Sequence, residues 1–257
     1  MTQRTASPEL QKLAHSLGVP LGRLDGLADL PADDLRLLRT QITEALFQHD
    51  RPRFAKLAAL SSAVPVALAA KVTQHVLPPL LAARTAELID PDRAADLVGR
   101  LSDGYLADVS AAMDAARAPE VVARIPAIRI GTIAAELARR AEWVVIGAFV
   151  AHVSADGLAA AVRSFDGGQL LRIAYVLDDK RRLDEITAMI TDEQRDQVLV
   201  TAAEDGLWAE LADLLAHLGA DERTHFANRL HASPEAVRAA VAASTLDPGA
   251  LAALGAA

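Results

Sequence analysis

The sequence predicts an all-α protein, a solenoid or compact superhelix of short helices. Three observations lead there. Apolar residues make up 52% of the chain but aromatics only 4%, so the apolar content is mostly Ala, Leu, Val and Ile. Ala and Leu lose little side-chain freedom in a helix, whereas strands draw on aromatic and β-branched residues more heavily than this composition does. From residue 90 onward, turn signals built on Asp, Ser, Pro and Gly recur roughly every 12 to 14 residues, room for a ten-residue helix and a tight turn. Finally, Asp-x-x-Arg begins at Asp50, Asp114 and Asp178, 64 residues apart each time; Asp114 and Asp178 are expected to cap helix starts with the arginines on a solvated face, the alternative being a repeated docking strip of acids.

In chain order, Ser7-Pro8-Glu9 supplies a helix cap, a first-position proline and a first-turn acid. Leu10, Leu13 and Leu17 then form one stripe, closed by Gly18-Val-Pro20. A second helix opens near Pro31 and carries Leu35, Leu38, Ile42 and Leu46 at helical spacing. The most apolar stretch runs from Arg53 to Ile89, with Pro65 expected in a first turn and Pro78-Pro79 expected to break or kink the helix holding Lys71 and His75. Within it, residues 57–70 read as a buried helix, too short for the roughly 20 apolar residues that a membrane span needs. Further stripes follow at Leu97, Val98 and Leu101, at Leu158, Val162 and Phe165, at Leu170, Ala174 and Leu177, and at Leu207, Leu211, Leu214, Leu215 and Leu218. Helices this short are marginal alone in water and must stack on neighbours.

Aligning 90–153 with 154–218 sets Gly104 on Gly168, Asp114 on Asp178, Trp143 on Trp208 and Ala151-His152 on Ala216-His217, with one residue inserted between. That predicts an internal duplication of about 64 residues within a single domain spanning 1–257. In this division 1–49 is an N-terminal cap, 50–89 a degenerate apolar copy, and 219–257 a partial C-terminal cap; atypical ends are what a repeat array needs.

The segment Leu88-Ile-Asp-Pro-Asp-Arg-Ala-Ala-Asp-Leu-Val-Gly-Arg-Leu101, followed by Ser-Asp-Gly, resembles the short-helix repeats in the N-terminal domains of MgtE-type magnesium transporters, and in style the middle domain of the flagellar motor switch protein FliG. The resemblance implies a right-handed superhelix across about 90–230, and nothing about magnesium ligands.

Function is less legible. A net charge of −8 speaks against a general nucleic-acid binder. The absence of cysteine excludes disulfides, thiolate catalysis and cysteine-held metals. The N-terminus has no apolar secretion core, which makes the cytoplasm the expected compartment. No phosphate-binding glycine loop, nucleophile elbow or His-Glu-x-x-His is present, so no cofactor, metal or catalytic residue is expected.

Four side chains stand out. Trp143 and Trp208 are candidate interaction anchors, or packing between stacked helices. Lys71 and His75, at i and i+4 in the apolar segment, are candidate ligand-binding residues facing an apolar pocket, or simply a pair reaching for solvent. The expected function is a non-enzymatic scaffold or protein-interaction module with an unidentified protein partner. The alternative is a protein that binds a small apolar, lipid-like ligand near Lys71 and His75.

Overall fold

In the computed structural model, which describes residues 7–255, the described residues form seventeen α-helices and three 3-10 turns, with no strand. The first helix is α1 (Pro8–Leu17), followed by a 3-10 turn (Leu21–Leu27) and the long α2 (Ala32–Ala63). Then come α3 (Val66–Val76), α4 (Pro79–Ala86), α5 (Pro91–Val98) and α6 (Asp103–Ala112). A 3-10 turn (Ala115–Arg117) precedes α7 (Pro119–Arg124), α8 (Ala127–Arg139), α9 (Trp143–Val150), α10 (Ala155–Val162) and α11 (Gly167–Val176). Another 3-10 turn (Lys180–Arg182) leads into α12 (Leu183–Met189), α13 (Asp192–Asp205), α14 (Trp208–His217), α15 (Ala220–Ala232), α16 (Glu235–Ala242) and α17 (Pro248–Ala253).

The turn signals become caps. Side chains of Ser7, Asp90, Ser102, Ser154, Asp166, Thr191 and Asp247 accept hydrogen bonds from the exposed amides of the helices they start. Asp166 with Gln169 and Thr191 with Gln194 close reciprocal capping boxes. Eleven of the twelve prolines sit at or just before a helix start, where a missing amide hydrogen costs nothing. Pro52 is the exception, inside α2, and the Gln48 carbonyl it leaves without a helical donor belongs to an exposed residue.

Helices two apart in the chain pack on each other: α2 on α4, α4 on α6, α6 on α8 and α8 on α10, and likewise α9 on α11 and α11 on α13. One apolar core runs from Ala69 on α3 to Leu254, with Leu171, Leu199, Leu211 and Phe226 wholly buried in it. Gly167 permits the tightest of these contacts, since a Cβ there would lie 2.3 Å from the Gln194 carbonyl of α13. The chain's beginning is tied to its middle, because α1 packs on α2, α9 and α11.

Three expectations are corrected. The helix expected around 32–46 continues to Ala63, so Asp50 and Arg53 lie in mid-helix and pair with each other at 2.9 Å rather than starting a helix. The apolar stretch 57–70 is not a buried helix. It is broken before Pro65, and only Ala58, Ala69 and Ala70 are buried, because its leucines line an open chamber. In the Asp-x-x-Arg that begins at 178, the capping acid is Asp179, whose side chain accepts from the Arg181 amide as Asp114 does from Ala116. Asp178 is thereby free for a distant partner.

Candidate functional site

The largest feature is an apolar chamber of about 550 Å³. It forms where the C-terminal half of α2 and the helices α3 to α8 stack without filling the space they enclose. Leu81, Ala82, Leu97, Leu106, Val109 and Val122 belong to its wall, and among the described residues Ser61, Thr73, Thr85 and Ser110 are its hydroxyl-bearing neighbours. The Thr85 hydroxyl is already used, donating to the Leu81 carbonyl at 2.7 Å. Phe149, from α9, stands at the inner end, beside a second apolar void of about 70 Å³. Protein interiors are ordinarily close-packed, so an unfilled apolar volume of this size is itself informative.

The chamber opens through large apolar side chains in water. Leu60 of α2 is 66% exposed, and Leu68, Val72 and Val76 of α3 are 51%, 43% and 73% exposed. All four line the chamber. Leu68, Val72 and Val76 are four residues apart, one stripe of α3, while Ala69 and Ala70 bury the helix against α5 and the core.

Lys71 and His75 are both exposed and do not line the chamber; Val72 and Val76, one position on, do. Trp143 and Trp208 each open a helix, α9 and α14, and each lies half-buried against the main core. His217 ends α14, its Nδ1 donating to the Asp213 carbonyl at 2.8 Å, while His152 sits past the end of α9. Burial holds the His152 imidazole below its usual value, against the pull of Asp114 and Asp178. Among the described residues, no three His, Asp or Glu side chains are grouped to hold a metal, and no helix is long and apolar enough to cross a membrane.

On the other side of Ser110, Met113 and Phe149 lies a polar pocket of about 380 Å³, lined by Lys12, Arg39, Arg84, Asp114 and Asp178 among others. Its charges are largely spent on one another. Lys12 and Glu9, each 3% exposed, pair at 2.9 Å, and the Lys12 ammonium also reaches Asp178 at 2.6 Å. Arg39 spans the same two acids, at 3.4 Å and 3.3 Å. This cluster joins α1 and α2 to the turn after α11, residues more than 130 positions apart in the chain. Nearby, Arg117 lies over the Phe47 ring at 4.3 Å and pairs with Glu44 at 2.7 Å, fastening α2 to the 3-10 turn that Asp114 caps. The sequence pointed to an apolar pocket near Lys71 and His75, but not to the neighbours Val72 and Val76 as its lining. The available signal was a second apolar stripe on α3, beyond what burial of one helix face requires.

The chain matches no family model, no curated protein and no solved structure.

Proposed function

We propose that the protein binds a small, lipid-like apolar ligand in the chamber between α2 and α8. The observation that carries this reading is a volume of about 550 Å³ with an almost wholly apolar wall. Ligand pockets typically run to about 300–1,000 Å³ with mostly apolar walls and few polar groups. Transfer of apolar surface from water into such a space supplies the driving force, about 0.8 kcal/mol for each methylene buried. Lys71 and His75 serve here as residues of the rim rather than of the wall.

Native mass spectrometry of the purified chain tests the reading. The expected result is an additional non-covalent mass of a few hundred daltons that extracts into organic solvent. Val109→Phe, which places a ring into the chamber from a buried wall position, should abolish that mass while the circular dichroism spectrum stays helical. A clean apo mass, together with no uptake of a fluorescent fatty acid, would sink the proposal.

The architecture belongs to the same proposal: one domain in which 90–153 and 154–218 are duplicated units that coil as the resemblance to MgtE-type and FliG repeats implies. Several offsets support it. Elements α5, α6, α9 and α10 begin 64 or 65 residues before α10, α11, α14 and α15. At the third position of α8, Arg129 donates to the carbonyls of Val98 and Leu101. At the third position of α13, Gln194 donates to those of Val162 and Phe165. Arg140 pairs with Asp108 across α8 and α6, and at the matching positions Asp205 pairs with Arg172 with the charges exchanged. A second reading, a scaffold for a protein partner, draws on this same repetition, since stacked repeats present extended surfaces. Recovery of one stoichiometric protein partner, with the chamber empty, would favour it.

A further inference from the structure

We propose that the mouth of the chamber is a docking surface for an anionic lipid bilayer, on which the protein exchanges its ligand. The inference rests on the chamber reading for its purpose but on separate observations for its evidence. Residues 51–86 contain five cations, Arg51, Arg53, Lys56, Lys71 and Arg84, and no carboxylate, in a chain whose net charge is −8. Four of these, Arg51, Arg53, Lys56 and Lys71, are exposed, and Arg84 turns inward to Glu87 at 2.8 Å. Asp50, just outside the run, pairs with Arg53 at 2.9 Å, which leaves Arg51, Lys56 and Lys71 as the exposed cations of the run outside any ion pair among the described residues.

The cations border the exposed apolar residues in a fixed relation. On α3, Lys71 and His75 each precede a mouth residue, Val72 and Val76, so the basic edge lies about 100° round the helix from the apolar stripe. On α2, Lys56 and Leu60 are four apart, as are Arg53 and Leu57, and both leucines line the chamber. Apolar side chains flanked by Lys and Arg are the pattern of a surface that seats its leucines and valines at the acyl boundary while cations meet anionic headgroups. Any occupant of this mouth must tolerate Leu60, Leu68, Val72 and Val76 in contact beside the cations that α2 and α3 carry, and the bilayer offers both partners at once. The acidic remainder of the chain would be repelled by the same membrane, which leaves this face as the one that can approach.

Flotation of the full chain with vesicles tests the proposal. Vesicles of phosphatidylglycerol and phosphatidylcholine in equal parts should carry the protein upward at low salt, and phosphatidylcholine vesicles should not. Raising salt to about 0.5 M should release it, as screening shortens the electrostatic reach. Lys56→Glu with Lys71→Glu should weaken binding roughly thirtyfold or more, given the contribution each basic residue makes near a charged leaflet. Leu68→Ser with Val76→Ser, both at exposed positions, is the second variant should the charge reversal disturb folding, and it should weaken binding without altering the salt dependence. No flotation at low salt, equal flotation with neutral vesicles, or full binding by both variants would overturn the proposal. Val109→Phe separates the two readings: it should lose the ligand and keep the vesicles, so failure of one does not imply failure of the other.

Discussion

Ala141 turns the chain between α8 and α9 with φ at +58°, the one non-glycine residue in the left-handed region among those described. Sixty-five positions on, Gly206 makes the equivalent turn between α13 and α14 at φ +68°. A Cβ in this conformation costs roughly 1 kcal/mol, partly offset by the extra freedom glycine has when unfolded. Ala141→Gly should therefore stabilise the protein by about 0.5 kcal/mol, read as a rise in Tm of roughly 1–2 °C. Glu87 makes a different residue-scale prediction. Its side chain is wholly buried at the end of α4, one oxygen accepting from Arg84 and from the Asp114 amide, the other without a partner. Burial raises its pKa, with Arg84 pulling the other way. A carboxyl whose folded pKa lies above its unfolded one contributes stability that is full below the unfolded value and is lost as pH rises through the folded value. Glu87→Gln removes that loss, so its stability relative to wild type should improve as pH rises from about 4 to 8, measured by urea midpoints. A constant gap across that range would refute the assignment.

Seven of the described α-helices are closed at the start by their own Asp, Ser or Thr, and several are closed at the end by a side chain from a helix further along the chain. Arg93 donates to the carbonyls of Ser61 and Val64, Arg129 to those of Val98 and Leu101, and Gln194 to those of Val162 and Phe165. These donors satisfy carbonyls that a terminating helix leaves bare. Between α6 and α8 the Arg140–Asp108 pair is 2.5 Å long, and Arg140 also donates to the Gly104 carbonyl. Between α11 and α13, Arg172 pairs with Asp205 at 2.5 Å and donates to the Gly168 carbonyl. The charges are exchanged, and the carbonyl that Arg172 meets lies on its own helix where Arg140 crosses to α6. Arg140 also bonds Glu136 at 2.8 Å, so Arg140→Asp alone gathers three carboxylates and should destabilise by about 1 kcal/mol; adding Asp108→Arg should recover part of that, since partly exposed pairs contribute about 0.2–1 kcal/mol. Thermal melts of the four members of the cycle would show it, and a double variant no better than the single one would mean the pairs are not equivalent.

At the scale of the whole molecule the chamber and the α1 clasp set the thermodynamics. A ligand that enters only the folded chain stabilises it by mass action, about 2.7 kcal/mol at a hundredfold excess over Kd. A long-chain fatty acid should therefore raise Tm by several degrees in wild type and leave Val109→Phe unmoved, as differential scanning fluorimetry would register. Much of the element structure was legible beforehand. Caps at Asp90, Ser102, Ser154, Asp166 and Thr191, and prolines at helix starts, act within one turn of their own residue, so local sequence specifies them. The all-helical class follows for the same reason. The failures fall where partners are remote. Asp178 read as a cap because Asp179 beside it satisfies the same pattern; only the arrival of Lys12 and Arg39 from the far end of the chain gives Asp178 its use. Residues 57–70 read as buried because apolar side chains normally are, and no local signal states that the facing walls stop short of them. Helix class and the capped helix starts were thus determined by the sequence alone, through interactions spanning a few residues. The open chamber, its bare apolar mouth and the pairing of α1 with the middle of the chain were decided by tertiary structure, because a void exists only in what several distant helices jointly fail to fill.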